Sequence, residues 1–436
     1  LLIGSMMTGL FTGCSATGEN SGGKLVKIAV CVSDQTPAAQ ALADVFKPMV
    51  EEATDGRYDI QIYNSGVLGS EKVTYDYTKS GIVEMCVVGT TMWSETPKMS
   101  IPDFPFLFDS VEHARVCYQG ELGDQIDAYS RKTGGYLRKS DLENYWCEWV
   151  KPIHVNYRGY DICEIPPNGD GIIALMALNI LKGYSFTDRS CVDTVHKQLE
   201  AMKLAFADGN RYVADPGYMR APVETLLSDE YAAERRSLIG EMAQDPEPGD
   251  PFRGGTIYLC TADGEGNMVS YIQSNYMGFG SGIVIPGTGI ALQNRGANFT
   301  LDEDMENCLG PGKKSLHTII PGFLMKDGKA VGPFGVMGGF MQPQGHVQVI
   351  MNTLDFMMNP QETLDAPRWQ WVGGKKIQVE KTFPAEIVEE LKRRGHEMEV
   401  LESSLTFGRG QIIWRDENGV LCGATEPRAD GAVAVW

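Results

Sequence analysis

Apolar and polar positions change their period several times along this chain. Leu25 to Val32 alternates and is rich in β-branched residues, which predicts a strand, and Pro37 to Ala53 carries apolar residues at helical spacing. Tyr58 to Tyr63 predicts a second strand, and two strands joined by a crossover helix predict a βαβ unit with parallel pairing. Farther along, Ile172 to Leu181 and Cys191 to Ala207 place Leu, Met and Ala where helices would face a core, and His196 on the second of them reads as a satisfied histidine rather than a ligand. Ile257 to Asp263 and Met268 to Gln273 predict strands joined by the Asp-Gly-Glu-Gly-Asn turn at 263 to 267. Pro343 opens a predicted helix with apolar Val347, Ile350, Met351 and Leu354.

The chain starts differently. Residues 1 to 11 are almost all apolar or small and run into Thr12-Gly13-Cys14, after which a Ser, Gly and Asn-rich stretch continues to Gly23. This resembles the end of a bacterial lipoprotein signal peptide. It implies a shortened leader and tether over 1–23, lipid attachment at Cys14, and a periplasmic or extracellular protein held to the membrane by that lipid. The 436 residues with 43% hydrophobic and 9% aromatic content suit two or three domains with buried cores, and exclude a disordered chain. Lys plus Arg is 38 against 57 for Asp plus Glu, and the net charge of −19 repels phosphate backbones, so no nucleic-acid partner is expected. Ten scattered cysteines without a CxxC pair, and no His at zinc-ligand spacing, predict neither a disulfide framework nor a zinc site.

Two resemblances divide the chain. Gly66-Val67-Leu68-Gly69-Ser70-Glu71, Gly81-Ile82-Val83-Glu84-Met85 and Ile101-Pro102-Asp103-Phe104-Pro105-Phe106-Leu107-Phe108 occur in the order seen in TRAP-transporter solute-binding proteins. That resemblance implies a partial α/β lobe of the periplasmic-binding-protein type over 24–119. Such a lobe is one wall of a cleft that needs two. From Gly120 the pattern changes. Asn156-Tyr157-Arg158-Gly159-Tyr160, Ile165-Pro166-Pro167-Asn168-Gly169-Asp170-Gly171-Ile172, Glu200-Ala201-Met202-Lys203-Leu204-Ala205-Phe206-Ala207-Asp208 and Tyr212-Val213-Ala214-Asp215-Pro216 look like the later large subunit of the γ-glutamyltransferases, and the match runs on to Trp436. This second resemblance implies an N-terminal nucleophile (Ntn) hydrolase, an α/β fold of the αββα four-layer sandwich type, truncated at its N-terminal side. The later large subunit would occupy 120–255 and the catalytic small subunit 256–436.

The chemistry follows from that resemblance more than from spacing. Gly254-Gly255-Thr256 before a strand is weak evidence alone, but family members cut their own chain before this residue. Thr256 would then carry a hydroxyl nucleophile and a free α-amine to accept its proton, an amine that titrates near ~8 when unperturbed. Gly338-Gly339 is read either as a tight strand-to-helix turn or as a pair whose N–H groups converge on one oxyanion, and the resemblance implies the latter. It also places Ser274 beside the nucleophile and Tyr276, Arg295 and Asn298 at the donor. A cationic Arg295 and a neutral Asn298 would not attract an ammonium, and the family's serine pair has no counterpart before Leu316-His317-Thr318. These departures resemble cephalosporin-acylase-like members and imply a donor other than glutathione. The family's arginine for the donor α-carboxylate falls where the transporter-like piece stands. The glycines at 278–282, 287–289 and 310–312 fit no nucleotide loop and are read as turns.

The expectation is therefore a self-processing amidohydrolase or acyltransferase acting on γ-glutamyl or related amides. It would form a heterodimer of its own fragments, need water or an amine as acceptor, and use no metal or organic cofactor. The alternatives are a solute-binding protein for organic acids and an inactive fusion of two partial families.

Overall fold

The computed structural model describes residues 23–31, 37–69, 71–87, 110–145, 148–246, 257–277, 280–286, 288, 290–429 and 431–435. Cys14, the 101–108 motif, Gly254, Gly255 and Thr256 lie outside them.

The first segment forms the predicted βαβ unit. Strand β1 (Lys24–Val30) pairs in parallel with β2 (Tyr58–Tyr63) and β3 (Met85–Val87), giving the order β2-β1-β3. Helices α1 (Pro37–Ala41) and α2 (Lys47–Ala53) are joined by a π-helical turn, Leu42–Phe46, and together fill the predicted helix. Ile28, Val30, Ala39 and Ile60 make a small core of their own. Helix α3 (Glu71–Ser80) ends at Gly81, whose φ of 75° suits a residue without a side chain. Helices α4 (Val111–Gln119), α5 (Glu121–Thr133) and α6 (Lys139–Asn144) follow. Helix α6 begins at Lys139, and Asp141 reaches back to accept the Arg138 N–H at 2.7 Å.

The remainder is built on a six-stranded antiparallel sheet. The hairpin β4 (Ile153–Tyr157) and β5 (Tyr160–Glu164) leads into α7 (Gly171–Leu181), buried along its whole length, and α8 (Val192–Tyr212). Short helices α9 (Val223–Leu226) and α10 (Asp229–Ser237) precede the hairpin β6 (Ile257–Ala262) and β7 (Met268–Gln273). Strands β8 (Gly322–Lys326) and β9 (Lys329–Met337) then run into α11 (Met341–Leu354) and α12 (Pro360–Asp365). A three-stranded sheet of β10 (Trp369–Gly373), β11 (Lys376–Glu380) and β12 (Glu397–Leu401) encloses α13 (Ala385–Arg393), and β13 (Arg409–Arg415) and β14 (Leu421–Thr425) complete the chain. The large sheet has the order β14-β13-β9-β8-β5-β4.

Three layers result. Helices α7 and α11 cover one face of the large sheet, with α8 packed on α7, and the β6–β7 hairpin lies on the other face. Glycines allow both approaches: a side chain at Gly345 of α11 would strike Val336, and one at Gly335 of β9 would strike the Tyr258 ring. The hairpin is pinned by its hydroxyls. Ser270 Oγ donates to the Gly322 carbonyl at 2.9 Å, which leaves Tyr258 Oη to donate to Ser270 at 2.8 Å. Its outer side, with Leu259 and Val269 exposed, bears no fourth helical layer among the described residues, so the expected four-layer sandwich is seen as α, β and β only. Two strands make too narrow a sheet to support helices beyond it. On the helical side, Gln344 and Gln348 of α11 act as ladder partners for β10, each side-chain amide receiving one Trp N–H and returning a bond to the same residue's carbonyl (Trp371 and Trp369). No described helix is long and apolar enough to cross a membrane.

Candidate active site

The glycine pair sits where β9 gives way to α11. Both residues have positive φ, 144° at Gly338 and 60° at Gly339, and their carbonyls accept the first N–H groups of the helix, those of Met341 and Gln342. Neither glycine's own N–H donates to a partner among the described residues. Two such donors side by side can converge on one developing negative charge. A side chain on Gly338 would lie 3.1 Å from Gly408 Cα, and the carbonyls of Phe407 and Gly408 are held by buried Arg368, each at 3.0 Å. Arg368 is paired with Glu426 at 2.8 Å, so an ion pair braces the wall against which this turn rests.

The other expected residues gather near the start of α7. Ser274 directly follows Gln273, which pairs with Ile257, the residue after Thr256. Its Oγ accepts the Tyr276 N–H at 2.8 Å. The Arg295 guanidinium lies 5.4 Å from the centre of the Tyr276 ring and reaches Ser274 O and Thr318 Oγ1, both at 3.4 Å. Asn298 is used otherwise: its Nδ2 donates to Leu316 O at 2.9 Å and its carbonyl accepts from Asn307, so its amide nitrogen is committed to the loop. Two of the three expected donor residues therefore come together, and the third holds the loop beside them.

Four residues whose roles the sequence alone did not reveal complete the site. His346 Nε2 accepts the Val336 N–H at 3.2 Å, which fixes the ring proton on Nδ1, and that nitrogen donates to Glu164 Oε1 at 2.6 Å. Burial pushes the Glu164 carboxyl upward while His346 opposes the shift. Asp170 begins α7 and is wholly buried; burial, and then the like charge of Glu164, raise its carboxyl well above the usual aspartate range, with Arg295 pulling the other way. His317, whose carbonyl accepts the Asp170 N–H at 3.0 Å, is depressed to about 4 by burial and by Arg295, so it is neutral. Val336 lies two residues before Gly338, so His346 and Glu164 connect the glycine turn to the Arg295 cluster. An aspartate before a helix reads as an ordinary cap, and pairs separated by more than a hundred residues leave no mark on periodicity.

Elsewhere, His196, Glu200 and His396 have ligand atoms within 4.8 Å of one another. Their hydrogen bonds do not suit a metal. His196 Nε2 meets the Gly240 carbonyl at 3.0 Å and must donate, which leaves Nδ1 to accept from His396 Nε2 at 2.9 Å. His396 Nδ1 then faces the Lys203 ammonium at 3.4 Å, and Lys203 also donates to Glu200 at 2.8 Å. Both imidazole lone pairs are engaged and a cation already faces the carboxylate, so His196 is a satisfied core histidine.

The gamma-glutamyltranspeptidase family model matches residues 40–436. The chain belongs to the gamma-glutamyltranspeptidase family. It is 37% identical over 323 residues to the glutathione hydrolase-like YwrD proenzyme of Bacillus subtilis, covering 72% of this chain and 61% of that protein. It is 35% identical to the acylase ACY 1 proenzyme of Pseudomonas sp. (strain SE83), covering 74% of this chain and 58% of that protein. The crystal structure of cephalosporin acylase from Bacillus halodurans superposes with a TM-score of 0.73 at 57% identity, covering 84% of this chain and 70% of that one. The chain thus spans about three fifths of the two curated relatives. Like these gamma-glutamyltranspeptidase relatives it has a mixed α/β fold. The family match begins inside segment 24–119, and the comparisons lend no support to that segment's transporter-like resemblance.

Proposed function

We propose that the chain is a self-processing amidohydrolase or acyltransferase whose nucleophile is Thr256. The single observation that carries this reading is the pair of unengaged N–H groups at Gly338 and Gly339. They lie at the end of the strand on which the β6–β7 hairpin rests through Tyr258, two residues after Thr256. In this reading the Thr256 hydroxyl attacks the amide carbonyl, and its α-amine takes the proton and returns it to the departing amine. The oxyanion is held at Gly338 and Gly339, Ser274 lies next to the nucleophile, and water or an amine releases the acyl group. The substrate is a γ-glutamyl or related acyl amide held around Tyr276 and Arg295. The relatives named as glutathione hydrolase-like and as acylases support that class. Segments 120–255 and 256–436 would be the two subunits of the processed protein, behind a separate lobe over 24–119. Lipid attachment at Cys14 and an extracytoplasmic location belong to the same proposal, and the mass of the N-terminal peptide from cells tests them.

The decisive experiment is intact mass after incubation at neutral pH. A fragment of 436 − 255 = 181 residues beginning at Thr256 is expected. Thr256→Ala should abolish both this cleavage and turnover of γ-glutamyl-p-nitroanilide. Turnover that persists in that variant would overturn the assignment.

A further inference from the structure

A small pocket lies between α8, α11 and the start of α13, lined in part by Arg189, Gln198, Gln348, Asn352, Trp369 and Ile387. None of its lining residues belongs to the candidate active site, and it has room for about one water-sized group. The amide oxygens on its wall are all in use. Gln198 Oε1 accepts the Trp369 indole N–H at 3.1 Å, Gln348 Oε1 accepts the Trp369 backbone N–H at 3.2 Å, and Asn352 Oδ1 accepts the Arg189 Nε–H at 3.0 Å. Donors are left over. Arg189 spends Nη2 on the Pro367 carbonyl at 2.6 Å, while its Nη1 has no partner among the described residues. Buried Gln198 offers Nε2 only to the Met351 sulfur, at 3.3 Å, and Asn352 Nδ2 reaches the Thr363 carbonyl only at 3.4 Å. No Asp or Glu lines the pocket to receive these hydrogens.

The charges beside the pocket are unbalanced in the same sense. Arg368 pairs with Glu426 at 2.8 Å, and Arg428 joins Glu426 at 2.6 Å and Glu380 at 2.5 Å. Arg189 borders this network: the Pro367 carbonyl it holds precedes Arg368, and its guanidinium feels the attraction of Glu380 and the repulsion of Arg428. Three guanidinium groups thus face two carboxylates, and one positive charge is left without a counterpart in a largely buried place. Asp188 and Asp193 do not supply it, because Asp188 accepts the Ser190 N–H in an exposed loop and Asp193 is shared by Lys197 and Arg394. We propose that the pocket binds one monovalent anion of chloride size, held by Arg189 Nη1, Gln198 Nε2 and Asn352 Nδ2, and that this anion neutralises the arginine-rich network. A water molecule would satisfy the donors and leave the charge. A larger anion would not fit.

The test is thermal melting of the full chain in chloride, bromide and gluconate salts at one ionic strength. Chloride and bromide should raise the melting temperature over gluconate by about 2 °C or more, with a saturable dependence on concentration. Arg189→Gln should remove this difference, although it also gives up the bonds to Asn352 and Pro367. Gln198→Glu is the second variant. It keeps an acceptor for the Trp369 indole and sets a carboxylate beside Arg189, so it should melt alike in all three salts and no lower than the unaltered chain in gluconate. Crystals soaked in bromide should show an anomalous peak in contact with Arg189 Nη1. Equal melting of the unaltered chain in all salts, a salt preference undiminished in Gln198→Glu, or a pocket without bromide in the soaked crystal would overturn the proposal. Neither measurement involves turnover or cleavage before Thr256, so the outcome is independent of the proposed hydrolase activity.

Discussion

At Gly338 the backbone has a φ of 144°, and any side chain would crowd Gly408 Cα at 3.1 Å. Alanine cannot hold that conformation without strain, so the peptide would rotate and its N–H would leave the point it shares with Gly339. Loss of one such donor costs about 3 kcal/mol of barrier, so Gly338→Ala should lower kcat by about 10²-fold with KM little changed, as steady-state kinetics would reveal. Asp170 gives a prediction about stability. Its carboxyl is raised in the folded protein, so the contribution it makes is fully present below the ordinary aspartate value of 3.8 and is lost as pH rises through the raised one. Asp170→Asn removes that loss. The variant should melt above the wild type at pH 7 to 8 by scanning calorimetry, with the difference closing as the pH falls toward ~4. Equal melting temperatures across that range would mean that Asp170 is not buried in the way described.

Helix α8 has a different kind of interior. Its apolar positions follow the helical period, but Glu200 and Lys203 are fully buried as a pair and face His396, and Gln244 joins them through its backbone N–H and carbonyl. Removing one member of a buried pair leaves the other uncompensated. Lys203→Met should therefore cost about 3–5 kcal/mol in urea denaturation, and Glu200→Gln added to it should recover much of that loss. A cost below ~1 kcal/mol would show that the pair is wet. Helix α8 and the β6–β7 hairpin were legible in the sequence from their period, and α7 and α11, buried on nearly every face, from the number and placing of their apolar residues. Strand β9 was not. It carries Gly332, Pro333 and Gly335 and is covered by α11 on one face and Tyr258 on the other, so its inner residues are buried on both sides and do not alternate. The same limit applies to the site. Gly338 and Gly339 announce themselves as adjacent glycines, whereas Asp170, Glu164 and His346 acquire meaning only when α7, β5 and α11 are brought together.

Over the whole molecule, the large sheet joins parts of the chain that lie on both sides of the proposed cut. Strands β4 and β5 come before residue 255; β8, β9, β13 and β14 come after it, and β5 pairs directly with β8 through Asp161–Met325, Ile162–Leu324 and Cys163–Phe323. Cys163 and Glu164 on one side, and Val336 and His346 on the other, are buried at that junction. The two fragments should therefore co-elute in size-exclusion chromatography after processing and separate only in denaturant. The parallel sheet of residues 24–87 has its own small core, distinct from the main one. Its deletion should leave processing intact, as intact mass of a chain starting near residue 120 would test. A change of motif near Gly120 was readable in the sequence, but the family match runs across it from residue 40, and only the structure shows that no helical layer covers the hairpin among the described residues.

The β5–β8 junction has a consequence for how this protein can be made. A gene encoding only the part after residue 255 would translate a sheet whose β8 edge has unpaired backbone groups along its length, a ready template for pairing with another copy. Mixing two separately expressed halves would then yield aggregates of the second half, whereas one uninterrupted reading frame delivers β5 to that edge before the proposed cut at 255–256. If that cut occurs, continuity of the chain is needed once, during folding, and is dispensable afterwards.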